Sequence, residues 1–210
     1  MKRALIIVDV QNDFLPGGSL SVPKSDEILP FINQLLEMPF DMRVASMDWH
    51  PLGHCSFAST WGKKHGERIL TEGEEQILWP DHCVQGTKGA QLHKSLQSKS
   101  FDFIAHKGSD KNVDSYSTFF DNRKLKSTGL DKFLKEQQID ELYFAGLTTE
   151  YCVYCSAMDA LDLQFRVGVV IDACRGIDLV FGDVEKACSK MKEKGVEFLT
   201  TEEMSKRFGE

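Results

Sequence analysis

The chain has 210 residues, of which 41% are hydrophobic and 27% are charged. This composition is typical of a folded globular protein and argues against overall disorder. Lys and Arg total 25 against 32 for Asp and Glu, which gives a formal net charge of −7. Because no cluster of Lys and Arg accompanies this acidic balance, a nucleic-acid partner is not expected.

The cysteines and the first residues indicate a reduced, cytoplasmic protein. The six cysteines show no regular spacing, and a chain of this size does not need a disulfide framework. The apolar run behind Met1 is short and is interrupted from Asp9 onwards, as in a buried strand rather than a signal peptide. No apolar run is long enough to span a membrane, so a membrane partner is not expected either.

Strand and helix patterns alternate along the chain. Residues 4–9 predict a strand, an amphipathic helix begins near Ser25, and residues 44–47 predict a second strand that ends at Asp48. Later segments predict a strand at 101–106, a helix near 129–137, a strand at 141–147, a helix after Cys152, a strand at 165–171, a helix near 183–194 and a strand at 196–199. The alternation predicts right-handed βαβ units, and thus an α/β fold with a mostly parallel sheet covered by helices on both faces. We expect a single domain over residues 1–210.

Residues 51 to about 100 break this alternation. The segment is rich in His, Gly, Ser and Lys and contains Trp61 and Trp79. A long irregular segment inside a compact domain is more often a binding or lid region than a simple connection. We therefore expect this insertion to contribute to a metal and substrate site.

Cys152 is the strongest candidate for a nucleophile. The apolar run at 142–147 ends in small and hydroxyl residues, and apolar residues then recur at helical spacing from Val153. Cys152 is thus expected in the first turn of a helix, where free N–H groups and the helix dipole favour a thiolate. The alternative is a buried structural thiol, the common state of a free cysteine.

Two further residues end apolar runs in the same way. Asp9 ends the first run, and Lys107 ends the run at 101–106. Ligands of open α/β sheets bind outside the carboxyl ends of the strands. A base, a cation and the Cys152 nucleophile could therefore converge at one edge of the sheet.

A metal site is suggested by Asp48 and His50, which lie two residues apart and point the same way on extended chain. His82 could supply a third ligand, and His54 a fourth ligand or an outer partner. One carboxylate and two imidazoles suit zinc, iron or manganese. The alternative is that these histidines only pack in loops beside prolines and aromatic residues.

Five motifs in this order resemble the nicotinamidases, the metal-containing branch of the isochorismatase-like cysteine hydrolases. The motifs are DVQNDF at 9–14, DWHP at 48–51, WPDHCV at 79–84, KG at 107–108 and GLTTEYCV at 146–153. The resemblance extends from residue 4 to about residue 176. It implies a three-layer α/β/α sandwich with a six-stranded parallel sheet, and hydrolysis of nicotinamide to nicotinic acid and ammonia in NAD salvage.

The resemblance also implies roles for particular residues. Asp9, Lys107 and Cys152 would form the catalytic triad. A divalent metal ion, in the first place zinc, would be held by Asp48, His50 and His82 and would grip the pyridine nitrogen of the small-molecule substrate. The residues implied to pack against the substrate ring are Phe14, Trp79 and Tyr116, for which the alternative is plain core packing.

The family has a cis peptide before the nucleophile turn, which here would be the Leu147–Thr148 bond. It would aim the N–H groups of Thr148 and Cys152 at one oxyanion. Glu150 stands where the family commonly has aspartate, and its charge near Cys152 would oppose thiolate formation.

Three other functions remain open on sequence grounds. One is a related amidohydrolase acting on an N-carbamoyl or ureido compound, although such relatives generally lack the full Asp-His-His set. Another is a non-catalytic binding domain with the same fold. The third is redox chemistry by Cys152 and Cys155, whose spacing matches a thiol oxidoreductase motif, although core packing of Cys155 is preferred.

Overall fold

The computed structural model describes residues 1–71, 73–96 and 101–209. Within these ranges the strands are β1 (Arg3–Val8), β2 (Met42–Asp48), β3 (Arg68–Thr71), β4 (Glu74–Ile77), β5 (Phe103–Lys107), β6 (Glu141–Leu147), β7 (Arg166–Arg175) and β8 (Glu197–Leu199). The α-helices are α1 (Leu29–Glu37), α2 (Leu130–Glu136), α3 (Tyr154–Asp162), α4 (Asp183–Glu193) and α5 (Thr201–Phe208). None of the helices in the described ranges is long and apolar enough to cross a membrane.

The main sheet has six strands in the order β5-β2-β1-β6-β7-β8, and all of its pairings are parallel. The chain leaves β1 towards β2 and β5, and then returns to β6 on the other side of β1. The carboxyl end of β1 is therefore a topological switch point, where open α/β sheets bind their ligands.

Helices cover both faces of this sheet, which confirms the three-layer α/β/α prediction. On β1, Leu5 and Ile7 face a core that includes side chains of α1 and α5. Ala4, Ile6 and Val8 face a second core that includes side chains of α2, α3 and α4. Because both faces of the strand are buried, β1 is a continuous apolar run instead of alternating with polar residues.

Several element bounds differ from the sequence prediction. β1 ends at Val8, and Asp9 lies just beyond it with a positive φ of 50°. β5 runs through Lys107, and β7 extends to Arg175. The helix α5 was not predicted, because few of its side chains are buried.

The predicted insertion at about 51–100 is less irregular than expected. It contains a 3₁₀ helix (Ser59–Trp61) and the antiparallel pair of β3 and β4. This hairpin was missed because its strands have only four residues each and lack the apolar alternation of a half-buried strand. Residues 72 and 97–100 of the insertion lie outside the described residues.

One arginine ties the end of α1 to β2. The Arg43 guanidinium donates hydrogen bonds to the carbonyls of Leu36 (2.8 Å), Met38 (2.6 Å) and Phe40 (3.2 Å). Arg43→Ala should lower the free energy of unfolding by about 2 to 3 kcal/mol, because three charge-assisted hydrogen bonds to backbone carbonyls are lost. Arg43→Lys offers a point charge instead of a planar guanidinium group. In urea unfolding, its free energy of unfolding should therefore lie between those of wild type and Arg43→Ala. Equal stability of wild type and Arg43→Ala would contradict this role.

Candidate active site

Three of the predicted site residues lie at the carboxyl ends of neighbouring parallel strands. Asp48 ends β2 and Lys107 ends β5, and the two are register partners. Asp9 directly follows β1, between β2 and β6. Cys152 lies in a π-helical turn (Thr149–Val153) between β6 and α3. The parallel sheet thus brings together residues that are far apart in the sequence.

Lys107 joins the predicted triad to the predicted metal site. Its Nζ lies 2.9 Å from Asp9 Oδ2 and 2.5 Å from Asp48 Oδ1. The same nitrogen lies 3.4 Å from Cys152 Sγ and donates to the carbonyl of Ser115 at 3.2 Å. Burial opposes the charge on Lys107, but Asp48 and Asp9 outweigh this and hold the pKa of Lys107 well above its usual value. The side chain is therefore a buried ammonium ion shared by two carboxylates.

The thiol of Cys152 differs from the sequence expectation. Burial raises the pKa of Cys152 well above its usual value, and Lys107 only partly offsets this effect. The charges of Asp9 and Asp48 raise the pKa further. The pKa of Cys152 is therefore shifted in the direction opposite to the one expected from the helix start, since burial and two carboxylates outweigh the lysine. Cys152 needs a nearby base to become a nucleophile.

Asp9 is placed to be that base. A carboxylate oxygen of Asp9 lies within 4.8 Å of Cys152 Sγ. Burial raises the pKa of Asp9, although Lys107 partly offsets the increase. The hydroxyl of Ser46 donates to Asp9 Oδ1 at 2.6 Å and fixes the orientation of the carboxylate. A carboxylate with a raised pKa is suited to accept a proton and to return it.

Asp48, His50 and His82 form a buried group that fits a metal ion. Each offers one ligand atom, and these atoms lie within 4.8 Å of one another. The Nδ1 atoms of His50 and His82 lie 2.9 Å and 2.8 Å from the carbonyls of Gly108 and Pro80. Because a carbonyl only accepts, each Nδ1 must carry the proton.

The remaining ring nitrogens both face the same carboxylate. Nε2 of His50 lies 3.6 Å from Asp48 Oδ1, and Nε2 of His82 lies 3.7 Å from Asp48 Oδ2. Burial disfavours the charge of His50, yet Asp48 raises the pKa of His50 above its usual value. Two imidazole lone pairs directed at a carboxylate need a positive charge between them, which a divalent metal ion would supply.

His54 lies beside this group without belonging to it. Its ring centroid is 4.2 Å from that of His50, and its Nδ1 is 2.8 Å from the hydroxyl of Ser56. Its candidate ligand atom groups with those of His50 and Asp114 instead. Burial lowers the pKa of His54 to about 4, so the ring is neutral.

An aromatic pocket opens in front of Cys152. The predicted ring-binding residues Phe14, Trp79 and Tyr116 all line it, together with Asp48, His50 and His82. Trp79 Nε1 donates to the hydroxyl of Tyr116 at 3.1 Å, which fixes both rings.

The sequence interpretation missed other residues that line this pocket. They are Leu20, Asp114, Ser115, Tyr151 and Ile177. Ile177 follows the end of β7, so the strand-end rule that found Asp9 and Lys107 could also have found it. Tyr151 directly precedes Cys152 in the same turn, and this adjacency to the predicted nucleophile could have indicated that Tyr151 lines the pocket.

The turn before Cys152 contains the cis peptide bond between Leu147 and Thr148 that the resemblance implies. Thr148 lines the pocket beside Cys152. The carboxylate of Glu150, by contrast, accepts hydrogen bonds from the N–H groups of Ile177 and Asp178. The charges that act on Cys152 most strongly are those of Lys107, Asp9 and Asp48, so the expected effect of Glu150 on the thiol is minor.

The raised thiol pKa values of Cys152 and Cys155 argue against a redox pair. Both are free thiols. Burial raises the pKa of Cys155 to about 12, and that of Cys152 is also well above its usual value. Redox-active cysteine pairs depend on a lowered thiol pKa, which neither residue has.

A cysteine, an aspartate and a lysine, buried together at the switch point of a parallel α/β sheet, define the class of cysteine hydrolases. The family model described as the Isochorismatase domain matches residues 3–203, and the chain belongs to this family. A nicotinamidase from Escherichia coli is 43% identical over 201 residues, which cover 94% of this chain and 94% of the relative.

Solved structures agree with this likeness. An Acinetobacter baumannii nicotinamidase and pyrazinamidase is 41% identical with a TM-score of 0.93, covering 97% of this chain and 98% of that chain. An L. infantum protein in complex with nicotinate is 34% identical with a TM-score of 0.84, covering 96% and 93%. The pyrazinamidase of Pyrococcus horikoshii in complex with zinc is 34% identical with a TM-score of 0.79, covering 95% and 99%.

Proposed function

We propose that this protein is a nicotinamidase that hydrolyses nicotinamide to nicotinic acid and ammonia in NAD salvage. The observation that carries the proposal is one pocket in which Cys152 adjoins the Asp48, His50 and His82 group and is faced by aromatic rings. The likeness to nicotinamidases over nearly the whole chain supports the same substrate. The enzyme is therefore a hydrolase of a linear carboxamide.

The first half of the reaction forms a thioester. Asp9 accepts the proton of the Cys152 thiol, and the sulfur attacks the carboxamide carbon of the substrate. The N–H groups of Thr148 and Cys152 stabilise the oxyanion. Asp9 then gives its proton to the leaving nitrogen, the C–N bond breaks, and ammonia departs while the acyl group stays on sulfur.

The second half releases the acid. Asp9 takes a proton from a water molecule, whose oxygen attacks the thioester carbon. The C–S bond breaks, and Asp9 returns that proton to the departing sulfur of Cys152, which restores the thiol and the Asp9 carboxylate. Lys107 holds the two carboxylates and the sulfur in place throughout, since its Nζ contacts all three. Splitting amide hydrolysis in this way replaces one difficult step by two easier ones.

Phe14, Trp79 and Tyr116 are proposed to hold the pyridine ring against the nucleophile. Asp48, His50 and His82 are proposed to hold one divalent metal ion, zinc in preference to iron or manganese, in keeping with the zinc complex of the Pyrococcus horikoshii relative. When bound, the metal ion would offer an open coordination position to the ring nitrogen of the substrate.

Removing the metal should weaken substrate binding, seen as a raised KM, more than it slows the chemical steps, seen as a lowered kcat. His82→Ala should lower the metal content of the purified protein and raise KM for nicotinamide, because one of the three ligands is lost. Metal analysis and steady-state kinetics on the same sample check this. His93→Ala is the matched control, because His93 lies outside the group of candidate ligands. This variant should keep the metal content and the KM of the wild type. Wild-type kinetics that do not change after chelation and verified metal loss would contradict the role of the metal.

A related amidohydrolase of N-carbamoyl or ureido compounds is the competing function. The Asp48, His50 and His82 group favours a substrate that carries a ring nitrogen, which such compounds lack. A panel of nicotinamide, pyrazinamide and N-carbamoyl compounds, each assayed for ammonia release, separates the two. We expect the highest kcat/KM for nicotinamide, whereas preference for the N-carbamoyl compounds would exclude our proposal.

We also propose one domain over residues 1–210, since a single family model matches 3–203. A cytoplasmic location is proposed on the ground that all six cysteines are free.

A further inference from the structure

One wall of the pocket comes from the loop between β7 and α4. Ile177 of this loop lines the pocket together with Tyr151 and Cys152. The end of the loop is exposed, and the side chain of Phe181 is 94% accessible to solvent. Nearer to β7, Ile177 packs against the core with its side chain partly buried, and its backbone is held by further contacts.

Glu150 makes the contact that holds this wall. Its Oε1 accepts two backbone hydrogen bonds, from the N–H of Ile177 at 2.8 Å and from the N–H of Asp178 at 2.7 Å. Glu150 is only 8% exposed and belongs to the same π-helical turn as Cys152. The side chain therefore connects the nucleophile turn directly to the pocket wall.

The space around this contact is tightly filled. A Cβ atom at Gly176 would lie 2.6 Å from Glu150 Oε2 and 2.3 Å from Cγ2 of Val184 at the start of α4. Only glycine lets the chain pass this close to the carboxylate. On the far side, Asp178 accepts hydrogen bonds from the N–H groups of Gly182 (3.3 Å) and Val184 (3.1 Å), so the loop is held at both ends.

We propose that Glu150 is a positioning residue that sets the place of Ile177 against the substrate ring, and thereby the selectivity of the pocket among substituted pyridine carboxamides. The inference rests on the proposed nicotinamidase function. Glu150 touches neither the sulfur nor the scissile group in this arrangement, so it acts through the wall. A wall fixed before binding lowers the ordering cost of holding the ring.

The test compares Glu150→Ala with Glu150→Gln on nicotinamide and on its four derivatives that carry one methyl group on a ring carbon. In Glu150→Ala, KM for nicotinamide should rise about tenfold with kcat unchanged, and at least one methylated isomer should gain relative to nicotinamide in kcat/KM. Glu150→Gln keeps an amide oxygen that can accept both N–H groups, so it should restore the wild-type values. Glu185→Ala, an exposed acidic residue of α4, is the matched control and should behave as wild type.

A second readout does not depend on turnover. The amide protons of Ile177 and Asp178 should exchange with deuterium faster in Glu150→Ala than in wild type. Gly176→Ala is a second variant for the case that Glu150→Ala folds poorly. Its added Cβ would displace Glu150 Oε2, so deuterium exchange at Ile177 and Asp178 should again be faster than in wild type.

The outcomes separate the two proposals. Wild-type protein that releases no ammonia from nicotinamide would refute the proposed function. The exchange rates would still test whether Glu150 holds the backbone of Ile177 and Asp178 in place. Unchanged exchange, or a loss of kcat with KM and the isomer ratios unchanged, would overturn the role of Glu150.

Discussion

Cys152→Ala should reduce ammonia release from nicotinamide by about 10⁴-fold or more, because the sulfur that forms the thioester is lost. The variant should fold normally, since it loses a single sulfur atom from a small side chain. Steady-state ammonia assays and circular dichroism check both statements.

Cys155→Ala is the matched control for this variant. Cys155 lies three residues further along, is partly buried, and has a pKa raised to about 12. Its removal should leave ammonia release unchanged. Equal loss of activity in both variants would favour the redox pair over the single nucleophile, and normal activity in Cys152→Ala would exclude the thioester.

Lys107→Met should be damaging in two separate ways. Without the ammonium group, Asp9 and Asp48 become neighbouring buried carboxylates with no cation between them. The free energy of unfolding should fall by about 3 to 5 kcal/mol, as in other buried ion pairs that lose one partner. Ammonia release should fall by about 10² to 10³-fold, because the sulfur and the base lose their common contact.

Urea unfolding and steady-state kinetics at a temperature where the variant stays folded separate these two effects. Lys126→Met is the control, because Lys126 is exposed and its loss should change the unfolding free energy by less than about 0.5 kcal/mol. A folded Lys107→Met protein with wild-type activity would show that the buried ammonium group serves stability alone.

The strands and the site-bearing strand ends could be predicted because both arise from local patterns. A strand buried on both faces is a continuous apolar run, and a polar residue such as Asp9 or Lys107 marks its end. The convergence of these residues then follows from the parallel sheet alone. The specific roles of Asp48, His50 and His82 came from the resemblance in addition to their spacing.

What could not be predicted depends on tertiary contacts. The contact of Lys107 with Asp48 follows from the register of β2 and β5, which no local pattern specifies. The raised pKa of Cys152 follows from burial, which outweighs the favourable turn. The helix α5 is short and mostly exposed, although its capping box of Thr200 and Glu203 was a readable signal.

The most direct test of the central claim is product analysis with purified wild-type protein and nicotinamide. Our account predicts that each nicotinamide consumed yields one ammonia and one nicotinic acid, and that the reaction stops when Cys152 is replaced by alanine. No ammonia above the blank from metal-loaded wild-type protein, or equal amounts from the Cys152→Ala protein, would contradict it.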